Sequence, residues 1–267
     1  MRACQELAHL YRKGLGVGRD EETAFLLTLV AAAHKMTGAQ CLLSDCYENG
    51  IGVETNLVEA AHWDIEAMKT CQSGHELGLW YKYGGGVVDK NPKKAFRWFM
   101  FGAQRGNGVS AVEIANCYKT GFGVEKDLSK VYVYSMIGAR KGWSCGMSGV
   151  GECYENGWGA EKDLGKAAEW YIKAAEADKD YWDGGAALVK AGDCYANGFG
   201  VKKDYAKARE WYEKAVSRRH SENAKQKIVD LEKRIKREEE ERIQNTTGGL
   251  LDRYFSLPKN SAKQGGK

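Results

Sequence analysis

Two short motifs have the residue types of acyl-transfer chemistry. Ser256-Leu-Pro-Lys259 matches the Ser-x-x-Lys of penicillin-recognising enzymes, and Lys119-Thr120-Gly121 matches their Lys-Thr-Gly. The first needs a helical turn to bring its lysine to the serine, and Pro258 disfavours helix at Leu257. The second is one version of a turn that recurs along the chain. No Gly-x-Gly-x-x-Gly occurs, and Gly165-Lys166 lacks both the first glycine and the closing Ser/Thr of a phosphate loop, so no nucleotide cofactor is expected. The eight cysteines form no Cys-x-x-Cys pair and the five histidines are scattered, so no zinc site is expected either. Cys46, Cys117, Cys153 and Cys194 each precede a tyrosine at the same place in a repeated pattern and read as small buried thiols.

That pattern is the element to which every other residue is referred. Tyr-x-x-Gly-x-Gly begins at Tyr11, Tyr47, Tyr81, Tyr118, Tyr154 and Tyr195, with steps of 36, 34, 37, 36 and 41 residues. A period of this size marks an array of stacked supersecondary units rather than one globular core. In 107–142, Ile114, Ala115 and Tyr118 are spaced to share one helix face, and Gly121 supplies the left-handed residue that ends the helix. Asp127 then stands as N-cap of a second helix, with Asp20, Asn56, Asn91, Asp163 and Asp204 at the matching places. Four residues before the tyrosines stand Leu7, Leu43, Leu77, Ile114, Val150 and Ala191, and three before them a small residue that allows close approach. Trp63, Trp98, Tyr134, Trp170 and Trp211 recur on the second helices and read as core.

The units fall at about 1–36, 37–71, 72–107, 108–143, 144–184 and 185–220. Residues 221–244 read as a charged helix whose first half caps the sixth unit, and 245–267 as a disordered tail. The first helix starts without a capping residue, which suggests residues upstream. The net charge of +4 is small and interspersed, so nucleic acid is not an expected partner. No apolar run is long enough to cross a bilayer and the N-terminus lacks the apolar core of a signal peptide, so membrane insertion is not expected.

Candidate contact residues follow from the period. Positions five before, two before and one after each tyrosine share a first-helix face. Two before stand His9, Asp45, Leu79, Asn116, Glu152 and Asp193, a mildly acidic row suited to a basic or amide-bearing segment. Tyr181 and Trp182, in the longest step between units, are candidate aromatic anchors.

Tyr-x-x-Gly-x-Gly, then Asp, then Lys-Ala-x-x-Trp-Tyr-x-Lys-Ala, resembles the Sel-one-like repeat, a relative of the tetratricopeptide repeat. Ala168-Glu-Trp170-Tyr171-Ile-Lys173-Ala174-Ala175 and Lys207-Ala208-Arg-Glu-Trp211-Tyr212-Glu-Lys214-Ala215 match best, and about residues 3–220 are covered. The resemblance implies an all-α fold, a right-handed solenoid of about six antiparallel helix pairs with a C-terminal capping helix, serving as a noncatalytic adaptor or scaffold for protein partners. Secreted relatives bridge each unit with two cysteines and some hydrolyse β-lactams, which is the alternative reading. Here the second-helix cysteine slot holds alanine, as at Ala175, so that framework is missing and a reducing, cytoplasmic compartment is expected.

Overall fold

The computed structural model describes residues 2–71, 73–84, 88–177, 185–217 and 221–255. These form thirteen α-helices and, among the described residues, no strand. The chain divides into two compact bodies, residues 1–177 and 178–267.

The first body holds five helix pairs: α1 (Arg2–Lys13) with α2 (Glu21–Ala33), α3 (Thr37–Asn49) with α4 (Leu57–Thr70), α5 (Gly74–Tyr83) with α6 (Pro92–Gln104), α7 (Gly108–Thr120) with α8 (Leu128–Arg140), and α9 (Ser144–Asn156) with α10 (Leu164–Ala177). Each pair packs on itself; α2 on α3, α6 on α7 and α8 on α9 join successive pairs, and α7 also touches the first helices α5 and α9, while Tyr81 of α5 and Lys94 of α6 reach α3 through their side chains. The second body holds α11 (Ala186–Asn197), α12 (Tyr205–Val216) and α13 (Ser221–Phe255).

The repeated residues are those that close each hairpin. At Gly121 the chain turns left-handed with φ of 78°, a conformation that a Cβ would make costly, and its amide returns to the Cys117 carbonyl. In all six repeats the N-cap residue's amide donates to the carbonyl of the repeat tyrosine, as Asp127 does to Tyr118 at 3.0 Å. The N-cap side chain then accepts from the first turn of the second helix, for instance Asn91 from the Lys94 amide ahead of which Pro92 fits the first helical position. One tyrosine thus fixes where its own second helix begins.

Packing between helices uses the small positions. A Cβ on Gly78 would lie 2.3 Å from the Phe99 ring, one on Gly151 2.7 Å from the Tyr171 ring, and one on Gly192 2.4 Å from the Tyr212 ring. The aromatic that fills these three hairpins, Phe99, Tyr171 or Tyr212, is therefore the residue after the expected tryptophan position. Trp98 is itself buried, but Trp63, Tyr134, Trp170 and Trp211 are only half-buried, which corrects their assignment to the core. Lys173 and Lys214 lie over the Trp170 and Trp211 rings, at 5.0 and 4.4 Å from the ring centres.

The helix read as 221–244 continues to Phe255, eleven residues past Gln244. Residues 245–255 contain no proline, and Gly248 and Gly249 each cost a helix only about 1 kcal/mol relative to alanine. Residues 256–267 lie outside the described ones.

Candidate partner-binding surface on the first helices

The expected row does not form one uniform acidic strip, because each side chain answers to a different neighbour. His9 is half-buried, with its Nδ1 lacking a hydrogen-bond partner; burial first, then the Arg12 and Lys13 charges, lower its pKa against the pull of Asp89. Asn116 is exposed on α7. Glu152 on α9 receives Lys119 of α7 at 2.5 Å. Asp193 accepts from the Tyr212 hydroxyl and from Lys227 of α13, both at 2.8 Å. Tyr181 and Trp182 lie outside the described residues.

Asp45 is drawn inward. It is 6 % exposed, and its Oδ1 meets Lys94 Nζ, itself on a residue 3 % exposed, at 2.5 Å. Lys94 also reaches Glu48 Oε2 at 2.7 Å and Ser44 Oγ at 3.2 Å, while the Tyr81 hydroxyl points to the Cys41 carbonyl at 3.3 Å. Burial pushes the Asp45 carboxyl up to about 6 despite the Lys94 charge. Asp64 explains why polar groups collect here: it occupies the position filled by Phe99, Tyr171 and Tyr212 in other repeats, is buried, and takes Arg97 at 3.4 Å.

The lysine three residues after the N-cap, read from the sequence only as the first residue of the Lys-Ala motif, as at Lys207, recurs with a purpose. Lys94, Lys130, Lys166 and Lys207 each lie over their own repeat's tyrosine, at 5.7, 4.9, 5.5 and 5.4 Å from the ring centre. Lys130 and Lys166 are also held by the N-cap carboxylates Asp127 and Asp163. Asn91 carries no charge, so Lys94 turns instead to the preceding repeat. From the other side, an aromatic of the previous repeat meets the tyrosine edge-on: Phe25 on Tyr47, Phe96 on Tyr118 and Tyr132 on Tyr154.

Along the first helices, ion pairs link consecutive repeats: Lys82 of α5 meets Glu113 of α7 at 2.7 Å, and Lys119 of α7 meets Glu152 of α9. Burial works against the Lys82 charge, but the hydrogen bond and charge of Glu113 outweigh it and raise its pKa. The signal was present in the sequence as a lysine one after the tyrosine facing a glutamate five or two before the next. In the second body α13 supplies the equivalent contacts, with Lys227 on Asp193 and Arg234 on Asn197 at 2.9 Å. These residues border a cavity of about 190 Å³ floored by Leu231.

None of the eight cysteines is in a disulfide. Burial holds the thiols of Cys46, Cys117 and Cys153 up at about 12, so they are protonated and inert at neutral pH. Lys119 of the Lys-Thr-Gly triplet is spent on Glu152, and the Ser-x-x-Lys motif at 256–259 lies outside the described residues. No helix among the described residues is long and apolar enough to cross a membrane.

Helix pairs following one another in sequence, each closed from its tyrosine and, within the first body, joined to neighbours through rings, glycines and ion pairs, are the structure of a helical repeat protein. The particular repeat is also defined: segments 2–35, 37–63, 75–107, 109–130, 146–179 and 185–220 match the family model of the Sel1 repeat, and the chain belongs to that family. A Sel1 repeat protein from Oxalobacter formigenes is similar in structure, with TM-score 0.50 and 30% identity over 80% of this chain and 86% of that one. The protective antigen c5321 of uropathogenic Escherichia coli, which displays an SLR fold, aligns at TM-score 0.40 and 24% identity, covering 100% of this chain and 66% of that one. Among curated proteins, chitin synthase regulatory factor 3 of Schizosaccharomyces pombe (strain 972 / ATCC 24843) is 31% identical over 130 residues. The match takes in 46% of this chain and only 14% of that relative.

Proposed function

We propose that the protein is a noncatalytic scaffold that binds segments of partner proteins along its first helices, with 1–220 as the repeat array and the start of α13 closing its sixth unit. Sel1 repeats generally serve protein–protein interaction, and a relative whose name describes a regulatory factor of an enzyme is in keeping with a role exerted on another protein. The observation that carries the reading is the half-exposed ladder on α5, α7 and α9, in which exposed Asn116 lies between the Lys82–Glu113 and Lys119–Glu152 pairs. Such charges are already oriented, and a peptide carrying amide or basic groups can exchange for one member of a pair at small cost. Of the original row, Asn116 and Glu152 carry the contact, His9 flanks it and Asp45 supports it from within, while Asp193 is a separate candidate contact on the second body; Tyr181 and Trp182 remain candidate anchors. Buried protonated thiols without bridges suit a reducing compartment, in line with a cytoplasmic location.

Crosslinking mass spectrometry from native cells tests this, comparing the parent with Asn116→Arg/Glu152→Arg at equal helicity. The reading expects partner peptides crosslinked near α7 and α9 in the parent and depleted in the variant. Equal recovery in both, or crosslinks confined to the second helices, refutes it.

A further inference from the structure

In three of the turns the second glycine is the seat on which the preceding repeat rests. A Cβ on Gly52 would lie 2.0 Å from the carbonyl oxygen of Glu21, the first residue of α2. One on Gly123 would lie 2.0 Å from that of Pro92, the first residue of α6, and one on Gly159 2.6 Å from that of Ser129, the second residue of α8. In each case the backbone of a second helix's N-terminal turn presses on the glycine of the next repeat. Gly16 has the same conformation, with φ of 75° against 68° at Gly52, yet nothing lies within 4 Å of where its Cβ would be.

A second position points the same way. Four residues before the tyrosine, Leu43, Leu77, Ile114 and Val150 are 0 %, 2 %, 0 % and 0 % exposed, whereas Leu7 is 38 % exposed. An aliphatic left this far in water forgoes part of the roughly 1.5–3 kcal/mol that full burial supplies.

The geometry points to the α1 and Gly16 face as a docking site for one further helix pair of this repeat class, seated by the N-terminal turn of its second helix on Gly16 and covering Leu7. A second copy stacked head to tail is not the occupant. The turn it would offer, that of α12, is already covered by α13: Glu238 takes Lys203 at 2.7 Å and the Tyr205 hydroxyl at 2.6 Å, with Arg234 over the Tyr205 ring. The site is separate from the first-helix ladder and does not depend on it.

The test joins a copy of residues 108–143 directly ahead of Met1, which keeps the 36-residue tyrosine spacing, and follows amide exchange in α1 together with the thermal midpoint. Exchange in α1 is expected to slow about ten-fold or more, with a higher midpoint. Gly16→Asn is the discriminating variant, because asparagine tolerates the left-handed region and only the incoming backbone would object to its Cβ. In the parent it lowers the midpoint by no more than about 4 °C; in the joined chain it abolishes the protection. Gly52→Asn, where the seat is filled, is expected to cost far more in the parent. Unchanged α1 exchange on joining, protection that survives Gly16→Asn, or equal losses from Gly16→Asn and Gly52→Asn each overturn the proposal. So does a parent dimer in sedimentation that Gly16→Asn dissociates, since the occupant would then be a second copy.

Discussion

At Asp45 two demands on a carboxylate oppose each other: burial favours the proton, and Lys94 at 2.5 Å favours the charge. Removing one partner of such a pair leaves the other buried and less compensated, so Asp45→Ala is expected to cost about 3 kcal/mol in urea unfolding, with Glu48 preventing a larger loss. Asp45→Leu with Lys94→Met, which removes both charges, should recover most of that loss. A double variant as unstable as Asp45→Ala would show that Lys94 is not stranded there. The pH dependence has a definite sign. Burial raises the folded carboxyl to about 6, against its ordinary value of 3.8. Between those values the folded protein keeps a proton that the unfolded chain has released. Asp45 therefore stabilises most below pH 3.8 and loses that contribution as pH rises to about 6. Facing it are Lys94 on α6, Asp64 on α4 and Glu48 on its own helix. Asp45→Asn should flatten this part of the profile, read as the difference between variant and parent unfolding free energies at pH 4, 5, 6 and 7.

The helix pair depends on a glycine meeting a ring. In α9 the position three before the tyrosine is Gly151, over which Tyr171 of α10 lies so closely that a methyl group would overlap the ring. Tyr171 is buried and donates to Glu155 Oε2, so it cannot swing away without breaking that bond. Gly151→Ala trades a better helix former, worth about 1 kcal/mol, against overpacking that costs about 1–3 kcal/mol. The net effect expected is destabilisation, seen as a lower denaturant midpoint at unchanged slope, and Gly151→Ala with Tyr171→Leu should be more stable than Gly151→Ala alone. A stabilised Gly151→Ala would mean that α9 and α10 are farther apart than described.

For the whole molecule, the repeat was readable because its restraints are local: the glycine that ends a helix, the Asx cap and the apolar position four before the tyrosine act within one unit. What escaped reading depends on partners many residues away. Nothing near Asp45 announces Lys94, although Asp64 where other repeats place a ring was a visible departure. The half-buried tryptophans were misplaced because periodicity gives a helix face only to within one residue. The reach of α13 was missed because paired glycines weaken a helix without ending it. Contacts confined to neighbouring repeats also make energetic coupling short-ranged. Phe96 of the third repeat and Tyr118 of the fourth meet edge-on at 5.4 Å, as do Phe25 of the first and Tyr47 of the second. Phe96→Leu and Tyr118→Leu should therefore be non-additive by about 0.5–1.5 kcal/mol, the worth of such a ring pair. Phe25→Leu and Phe96→Leu, which share no partner, should add within about 0.5 kcal/mol. Native-state amide exchange should report Phe96→Leu on α6, α7 and their flanking helices, leaving α2 unchanged. Strong coupling between Phe25 and Phe96, or uniform loosening from α1 to α10, would mean that the first body responds as one continuous core instead of a row of neighbours.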